Sequence, residues 1–416
     1  MAAEESLRSM KKTRKRDAVS HPAIRPMTRP VLRVLGTEIT QLEQIRRRAE
    51  DDLGIEVIFE TLDFQSAQRK AATEPDSYDV YDQCFHNIDI VWFWRAVQSI
   101  DLARITRWDE VSDLTKTGRL TPGARIGRGD APVSKLYVQA NGSLGPSPTA
   151  QISMLPTVHN LDAFAYLPEV RNGDQDIQSW GALLDEKWKG KAAIVDEPAI
   201  GIFDLALAAQ ARGEISFADI GDMTTGEIDR LVDLVIAKKR AGHFSGFWKT
   251  ARDAADLMGS GETVIESMWS PGFSALRSRG VPVSEAAPSE GYRAWHGGLC
   301  LSRKLSGRLK DVAYDYLNWW LEGWAGAVMA RQGYYMSVPS RVQHHLGSDE
   351  WDYWYQGLPA RNALPGPDGT TTIAAGEVRS GGSYLQRASS IAVWNTTMDE
   401  HNYLTRRWGE LVAGGG

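Results

Sequence analysis

The sequence SWGALLDEKWKGKAAIVDEP, from Ser179 to Pro198, contains the pattern that decides the fold. Its first half predicts a short amphipathic helix, Gly190 ends that helix, and residues 192–195 predict a buried strand. Two acids, Asp196 and Glu197, follow the strand directly. Because ligands bind at the carboxyl ends of strands in α/β sheets, both acids are candidate ligand contacts.

Residues 31–82 predict another α/β unit. Apolar periodicity and turn residues indicate the order strand, helix, strand, helix, strand, at residues 31–35, 42–53, 55–59, 64–73 and 78–82. The first helix is predicted to start with a capping box at Thr40 and to stop at Gly54. This order is typical of a parallel, doubly wound sheet. The side chains expected at its ligand edge are Thr37, Glu38 and Asp82.

The rest of the chain repeats this alternation. Residues 154–164 predict an extended segment, residues 202–211 a helix, and Thr224 a capping box that opens another helix. A strand is predicted at 263–269, with Trp269 at its carboxyl end. Since the chain has 416 residues, more than one hydrophobic core usually holds, we expect two lobes.

Composition excludes several classes of protein. With 42% hydrophobic and 24% charged residues, the chain has the composition of an ordinary globular protein. No apolar run approaches the roughly 18 residues that a membrane span needs. Cys84 and Cys300 are too few for a disulfide framework or a zinc site. We expect both to be unpaired, with a single bridge between them as the alternative.

Charge is concentrated at the N-terminus. Residues 1–30 carry eight Lys or Arg against three Asp or Glu, although the net charge of the whole chain is −6. The low apolar content of this tail predicts disorder, and it lacks the apolar stretch of a secretory signal. Residues 31–416 therefore carry a net negative charge, which disfavours a nucleic-acid-binding surface on them.

Four sequence blocks occur together in the order of one protein family. The first block is residues 179–196. The second is residues 261–269, in which Gly-Glu precedes a strand that ends in Trp. The third is Trp295, just before a predicted return strand, and the fourth is the Gly-Tyr-Tyr-Met-Ser-Val-Pro turn at residues 333–339. In this combination the chain, from about Val31 onward, resembles the extracellular solute-binding proteins of ABC importers, and among them the spermidine/putrescine-binding type.

The resemblance implies an α/β periplasmic-binding-protein fold of type II, with two lobes, two hinge crossings and a ligand cleft between the lobes. One lobe would comprise residues 31–165 and 296–340. The other would comprise residues 166–295 and 341–416, and the tail 1–30 would belong to neither. Closure of the lobes around the ligand would hold it in the cleft.

The resemblance also implies ligand contacts at Glu38, Asp196 or Glu197, Trp269 and Trp295. The family's ammonium-binding acid corresponds to Gly297 in this chain, which disfavours a polyamine ligand. With Gly297 and His296 at this end, the pocket suits a shorter amine, a zwitterion, or a molecule that carries a carboxylic acid or hydroxyl groups. Glu38, Asp82 and Asp196 still favour some positive charge on the ligand.

Two further residues are candidate ligand contacts. His159 lies in the extended segment 154–164, and Trp394 lies in the C-terminal region that reaches the cleft in the family. A hydrogen-bonded structural histidine is the alternative for His159, and packing is the alternative for Trp394.

The function implied by the resemblance is capture of a small, amine-bearing solute and its delivery to a membrane permease. The protein is expected to be a periplasmic monomer, to need no cofactor or metal, and to bind no nucleic acid. A sugar or another uncharged or anionic solute is the rival ligand, because tryptophan rings can stack on pyranose faces.

Two other classes of function compete with capture of a solute. An enzyme could use His159 with Asp196 or Glu197 as acid and base, but the sequence contains no nucleophile elbow, HExxH motif or phosphate loop. An effector-sensing regulator would use the basic tail on DNA, but no helix-turn-helix precedes the lobes. Both remain alternatives.

Overall fold

The computed structural model describes residues 29–129, 132–171 and 177–413. The predicted disordered tail, residues 1–30, lies outside these ranges apart from its last two residues. Most of the described chain is divided between two β-sheets with helices packed on them.

Strands and helices alternate along much of the chain. The strands are β1 (Val31–Gly36), β2 (Glu56–Thr61), β3 (Val80–Cys84), β4 (Val97–Gln98), β5 (Ile100–Asp101), β6 (Tyr137–Val138), β7 (Leu144–Gly145), β8 (Gln151–Ile152), β9 (Leu155–Asp162), β10 (Phe164–Tyr166), β11 (Ala192–Val195), β12 (Phe244–Trp248), β13 (Ile265–Ser267), β14 (Ser284–Glu285), β15 (Tyr292–Ser302), β16 (Tyr335–Met336), β17 (Leu364–Pro365), β18 (Thr371–Ile373) and β19 (Ile391–Trp394). The α-helices are α1 (Glu43–Leu53), α2 (Phe64–Thr73), α3 (Ile88–Phe93), α4 (Asp113–Thr117), α5 (Pro198–Ala211), α6 (Thr225–Arg240), α7 (Ala251–Gly259), α8 (Ser270–Ser278), α9 (Gly307–Trp320), α10 (Trp324–Arg331), α11 (Pro339–Val342), α12 (Ser348–Trp351), α13 (Tyr384–Ala388) and α14 (His401–Ala413).

The larger sheet, which we call the first-lobe sheet, has the strand order β16–β9–β15–β3–β1–β2. Strands β19 and β4 pair with the two ends of β15. Strands β1, β2 and β3 are parallel, and α1 and α2 connect them, which confirms the predicted order of elements. Gly54 ends α1 in the left-handed conformation, with φ of 66°.

The predicted capping box at Thr40 is wrong. Leu42 occupies the N-cap of α1 and makes no side-chain capping bond. The hydroxyl of Thr40 instead donates a hydrogen bond of 2.7 Å to the buried carboxylate of Asp82. A tertiary partner therefore replaces the local capping bond that the sequence pattern favours.

The second-lobe sheet has the strand order β12–β11–β13–β10–β14. Strand β11 occupies the predicted residues, and the capping box at Thr224 is present at the start of α6. The helix predicted before Gly190 is wrong, because two separate 3₁₀ turns occur there. Between them Asp185 is extended and its carboxylate accepts the N–H of Lys187, which prevents a continuous helix.

The chain crosses between the two sheets after β9 and again before β15, as predicted. The C-terminal helix α14 packs on α5 and α6 of the second lobe. Strand β19, from the segment 341–416, pairs with β15 in the first-lobe sheet. The residue limits of the lobes stay a prediction. Both cysteines are buried and unpaired, as expected.

Candidate functional site

A small cavity, which we call the chamber, lies where the two lobes meet. Its walls come from β3, β9 and β15 of the first lobe and from α5 and the residue before α8 of the second lobe. The side chains that give it its chemical character are Phe64, Asp162, Trp269, Arg293, Trp295 and Tyr334.

Strand register brings the polar groups of the chamber together. Side chains alternate between the two faces of a strand, so Arg293 and Trp295 of β15 lie on the same face. In the neighbouring strand β9, Asp162 pairs with Arg293 and Asn160 pairs with Trp295. A guanidinium, an indole and a carboxylate therefore meet on the cleft face of the first-lobe sheet.

Aromatic rings from both lobes surround these groups. The ring of Trp269 meets Phe64 of the opposite lobe edge-to-face, at 5.8 Å between centroids. Trp295 and Tyr334 form a second edge-to-face pair at 5.6 Å. Such pairs hold the rings in fixed orientations, so the chamber has rigid aromatic walls.

A buried ionic cluster lies at one side of the chamber. The Nε atom of Arg293 donates to Oδ1 of Asp204 at 2.6 Å, and Nη1 lies 3.3 Å from Oδ2 of Asp162. Arg293 and Asp204 are fully buried, and Asp162 is 2% exposed. Asp204 comes from α5 and Asp162 from β9, so the cluster joins the lobes. Two carboxylates share one guanidinium, which leaves a net charge of −1 when all three are ionised.

Burial raises the pKa values of both carboxyl groups in this cluster. Burial raises the pKa of Asp162 to about 6, although the charge of Arg293 works against this shift. Burial also raises the pKa of Asp204, again opposed by Arg293. Hydrogen bonds from Asn160 at 2.7 Å and from Trp295 at 2.9 Å hold the carboxylate of Asp162 in place. The excess negative charge is thus fixed in position beside the aromatic rings.

The cluster also has unused hydrogen-bonding capacity. Among the described residues, Nη2 of Arg293 and Oδ1 of Asn160 have no hydrogen-bond partner. Nη1 of Arg293 is engaged by Asn395 at 3.2 Å as well as by Asp162. The chamber therefore offers a charged donor within the same cluster as its carboxylates.

Two open grooves adjoin the chamber. One, of about 510 Å³, includes Glu38 and shares Trp269 and Tyr334 with the chamber. The other, of about 380 Å³, includes Glu197 and shares Phe64 with the chamber. Two of the predicted contacts, Trp269 and Trp295, thus line the chamber itself, and the two glutamates lie in the grooves beside it.

The two groove glutamates link the lobes. Burial raises the pKa of Glu197 to about 7, and its carboxylate caps α5 while it accepts a 3.4 Å hydrogen bond from Gln65 of the first lobe. Burial also raises the pKa of Glu38, and the backbone N–H of Ala251 in the second lobe opposes this shift. Both acids therefore have partners in the opposite lobe.

The predicted contacts Asp82 and Thr37 do not reach the chamber. Asp82 is buried inside β3 and bonded to Thr40, and burial raises its pKa to about 7. Thr37 is buried in the turn after β1, where its carbonyl accepts the N–H of Gln41. Their position at the end of a strand predicted exposure to the cleft, but neither side chain lines the chamber, and the carboxylate of Asp82 is bonded to Thr40.

Asp196 is placed away from the chamber as well. Its carboxylate accepts a hydrogen bond of 2.8 Å from the indole of Trp408, and Nζ of Lys249 lies 3.6 Å away. These partners belong to α14 and to the turn after β12. The side chain that follows β11 therefore anchors the C-terminal helix rather than facing the cleft.

His159, His296 and Trp394 lie on the opposite face of the first-lobe sheet. His296 follows Trp295 in β15 and so points the other way, where its ring lies against that of Phe85 in a tilted arrangement, with 4.2 Å between the ring centroids. His159 pairs with His296 in the sheet, and its Nε2 lies 2.9 Å from the hydroxyl of Tyr384. Burial lowers the pKa of His159 to about 3, so it is neutral. These three predicted contacts are structural residues of the sheet.

No group of three His, Cys, Asp or Glu residues that could hold a metal ion occurs within residues 29–129, 132–171 and 177–413. The acids of the cluster are committed to Arg293, and the buried His159 and His296 lie on the far side of the sheet. The polar lining of the chamber thus consists mainly of aromatic rings, the guanidinium of Arg293 and the carboxylate of Asp162, with Asp204 bonded to Arg293 behind it.

A family model for bacterial extracellular solute-binding proteins matches residues 44–354. This chain belongs to that family. The match covers most of the described structure and includes the chamber strands β9 and β15. Members of the family are binding proteins. No curated protein sequence matches the chain.

Solved structures similar to this solute-binding protein share its two-lobe fold. The Tp0655 (TpPotD) lipoprotein of Treponema pallidum has a TM-score of 0.62 at 11% identity, with 92% of this chain and 99% of that chain covered. The spermidine/putrescine ABC transporter substrate-binding protein PotD of Streptococcus pneumoniae has a TM-score of 0.59 at 12% identity, with 93% and 98% covered. The Atu4243-GABA receptor has a TM-score of 0.55 at 15% identity, with 93% and 98% covered.

Several groups in the cleft of this solute-binding protein were not among the predicted contacts. They are Phe64, Asp162, Asp204, Arg293, Tyr334 and Asn395. The alternation of β15 could have indicated Arg293, which lies two residues before the predicted contact Trp295. Nothing in the sequence indicated that Asp162 and Asp204 meet at Arg293. No helix in the described part of the chain is long and apolar enough to span a membrane.

Proposed function

We propose that this solute-binding protein captures a small, amine-bearing solute, polyamine-like or zwitterionic, by closure of its two lobes. The observation that carries the proposal is the ionic cluster at the chamber, in which, among the described residues, Asp162 and Asp204 have Arg293 as their single counter-ion. A ligand ammonium group beside this cluster would neutralise its excess negative charge. Burying that charge without a counter-ion would be costly.

The walls of the chamber support the same ligand class. Ammonium groups are attracted to the faces of Trp and Tyr rings by about 0.5–2 kcal/mol per contact. Trp269, Trp295 and Tyr334 supply such rings next to Asp162. The acid that the family resemblance places at position 297 is absent, but Asp162 on the adjacent strand supplies a carboxylate to the same cavity.

A zwitterion would use one more group. The unpartnered Nη2 of Arg293 can donate to a carboxylate or hydroxyl of the ligand. A longer solute would extend into the groove of Glu38, which shares Trp269 and Tyr334 with the chamber. Glu38 would then meet a second positive charge, as a polyamine-like solute requires.

We further propose that the protein acts as a monomer in the periplasm and delivers its solute to the membrane permease of an ABC importer, without catalysis. Family membership supports an extracellular role. The name of the similar Streptococcus pneumoniae structure supports the link to an ABC transporter.

An uncharged saccharide is the second candidate ligand. The indoles of Trp269 and Trp295 offer flat surfaces on which a pyranose ring could stack. A neutral ligand would leave the charge of the cluster uncompensated, which is why the amine is preferred.

A thermal-shift panel tests the ligand class directly. Diamines, polyamines, amino acids and ω-amino acids would be compared with neutral mono- and disaccharides. A ligand at about 100 times its Kd should stabilise the folded state by roughly 2.7 kcal/mol. Native mass spectrometry of freshly purified protein would reveal any solute retained in the closed cleft. A rise in Tm with a saccharide and with none of the amines would overturn the proposal.

A further inference from the structure

A second polar cavity lies outside the interlobe cleft, between α8 and residues 377–380, and we call it the Arg379 cavity. Its volume is about 150 Å³. It shares no lining residue with the chamber. The charged side chains around it include Arg277, Glu285, Glu377 and Arg379.

Arg379 is held rigidly beside this cavity. Its guanidinium lies 4.7 Å from the ring centroid of Tyr335 and 4.8 Å from that of Trp354. Nη1 donates to the carbonyl of Trp354 at 2.9 Å, and Nη2 donates to the carbonyl of Gly333 at 3.1 Å. The residue is only 6% exposed, so its charge is nearly removed from water.

The acids at the cavity are already neutralised by other residues. Glu377 pairs with Arg277 at 2.9 Å, and Glu285 pairs with Arg387 at 2.7 Å. Among the described residues, no carboxylate lies within ion-pair distance of Arg379. A buried charge is normally compensated by an opposite charge, and here that opposite charge is missing.

Other donors at the cavity are also unused. Within the described ranges, Nε of Arg379, Nε1 of Trp354 and Oγ of Ser380 have no hydrogen-bond partner. Trp354 is 6% exposed, so its indole N–H is also nearly cut off from bulk water. These unused donors belong to three residues that line the same cavity, next to one uncompensated positive charge.

We propose that the Arg379 cavity binds a compact oxyanion, with the chemistry of a sulfate, phosphate or carboxylate group. Arg379 supplies the compensating charge, and Ser380 supplies a hydroxyl donor. Arg379 donates a hydrogen bond to the carbonyl of Gly333, the residue before Tyr334 in the chamber wall. An anion that fixes Arg379 would therefore also stabilise this part of the chamber wall. The proposal of an oxyanion site does not depend on which solute the chamber takes.

The probe is inorganic sulfate in the millimolar range, with sodium chloride used to keep the ionic strength constant. We expect a saturable rise in Tm of about 2 °C, because a ligand that binds only the folded state stabilises it. Inorganic phosphate and acetate form parallel arms, which distinguish a site for tetrahedral anions from one for carboxylates. Isothermal titration calorimetry with sulfate measures the affinity directly.

Two variants locate the effect. Arg379→Gln should weaken sulfate binding at least about tenfold, because the charge is removed. Ser380→Asp places a carboxylate at the cavity, so it should raise Tm without sulfate and abolish the response to sulfate. Ser147→Asp makes the same charge change at an exposed position that lines none of these cavities, and it should keep the response.

Three results would overturn the proposal. The first is that sulfate raises Tm no more than chloride does. The second is that sulfate raises Tm equally in Ser380→Asp and in the wild type. The third is a rise in Tm that is linear in sulfate, does not saturate and is the same in every variant, as exclusion of salt from the protein surface would give. Ser380→Asp keeps the test decisive if Arg379→Gln does not fold. The response to sulfate should persist in Asp162→Asn, which separates this site from solute capture.

Discussion

The chamber and the Arg379 cavity both place a buried guanidinium beside aromatic rings, but the number of carboxylates differs. In the chamber, Arg293 is shared by Asp162 and Asp204, which leaves excess negative charge. At the second cavity, Arg379 meets only backbone carbonyls and ring faces. The same building blocks therefore favour a cation at one site and an anion at the other, and the count of nearby carboxylates decides between them.

The largest expected effect comes from removing the guanidinium of the chamber. Arg293→Met leaves Asp162 and Asp204 buried without a counter-charge, which should lower the free energy of unfolding by roughly 3–5 kcal/mol. Urea denaturation measures this loss. Arg252→Met is the matched control, since the side chain of Arg252 is 85% exposed and its loss should have little effect. Equal stability of the two variants would contradict the claim that Arg293 compensates buried negative charge on Asp162 and Asp204.

A smaller effect is expected from removing the excess carboxylate. Asp162→Asn keeps the shape of the side chain but should lower the affinity for an amine ligand by about tenfold or more, because a charged hydrogen bond is lost. Isothermal titration calorimetry measures the change. Asp196→Asn is the control and should keep its affinity within about twofold, because Trp408 and Lys249 hold Asp196 away from the chamber. Unchanged affinity in Asp162→Asn would argue for a neutral ligand.

The smallest of the three effects is the response to pH. Burial raises the pKa of Asp162 to about 6, so the carboxylate is ionised above this pH and protonated below it. Affinity for an amine should therefore be highest at pH 8 and about tenfold lower at pH 5, where some nine-tenths of Asp162 is neutral. Sulfate binding at Arg379 should hardly change over the same range, because a guanidinium does not titrate there. Affinities for both ligands measured at the two pH values would sharpen the comparison, and a parallel fall in both would contradict it.

The same raised pKa has the opposite effect on stability. An acid whose pKa is higher in the folded than in the unfolded state binds its proton more tightly when folded. Asp162 thus favours the folded state at low pH and loses that contribution as pH rises from about 4 to above 6. Without ligand, the protein should gain stability from Asp162 under acidic conditions, in which its amine affinity falls.

The local elements could be predicted from the sequence because their causes are local. The apolar run at β11, the helix at α2, the capping box of α6 and the glycine stop of α1 all depend on neighbours within a few residues. One error occurred where a distant partner changed a local preference, and the other where a side chain bonded to the backbone two residues further along. Thr40 bonds to Asp82 instead of capping α1, and Asp185 interrupts the helix predicted before β11.

The candidate site was less predictable, because it depends on which face of a strand each residue occupies. Trp269 and Trp295 line the chamber, and their contact with a ligand stays a prediction, whereas His296 and Trp394 lie behind the sheet. The resemblance to a known family indicated which blocks carry the cleft. It did not indicate the substitute for the missing acid at Gly297, since Asp162 belongs to a different strand.

By itself, the sequence determined a two-lobe α/β protein with aromatic and acidic residues at the ends of its strands, because periodicity, caps and turns act over short distances. Only the tertiary structure decided that Asp162, from β9, and Asp204, from α5, converge on Arg293 of β15. Strand register and the packing of α5 bring these residues together from positions 131 and 89 apart in the chain. The negative charge beside the chamber, on which the proposed class of ligand rests, is a property of that convergence.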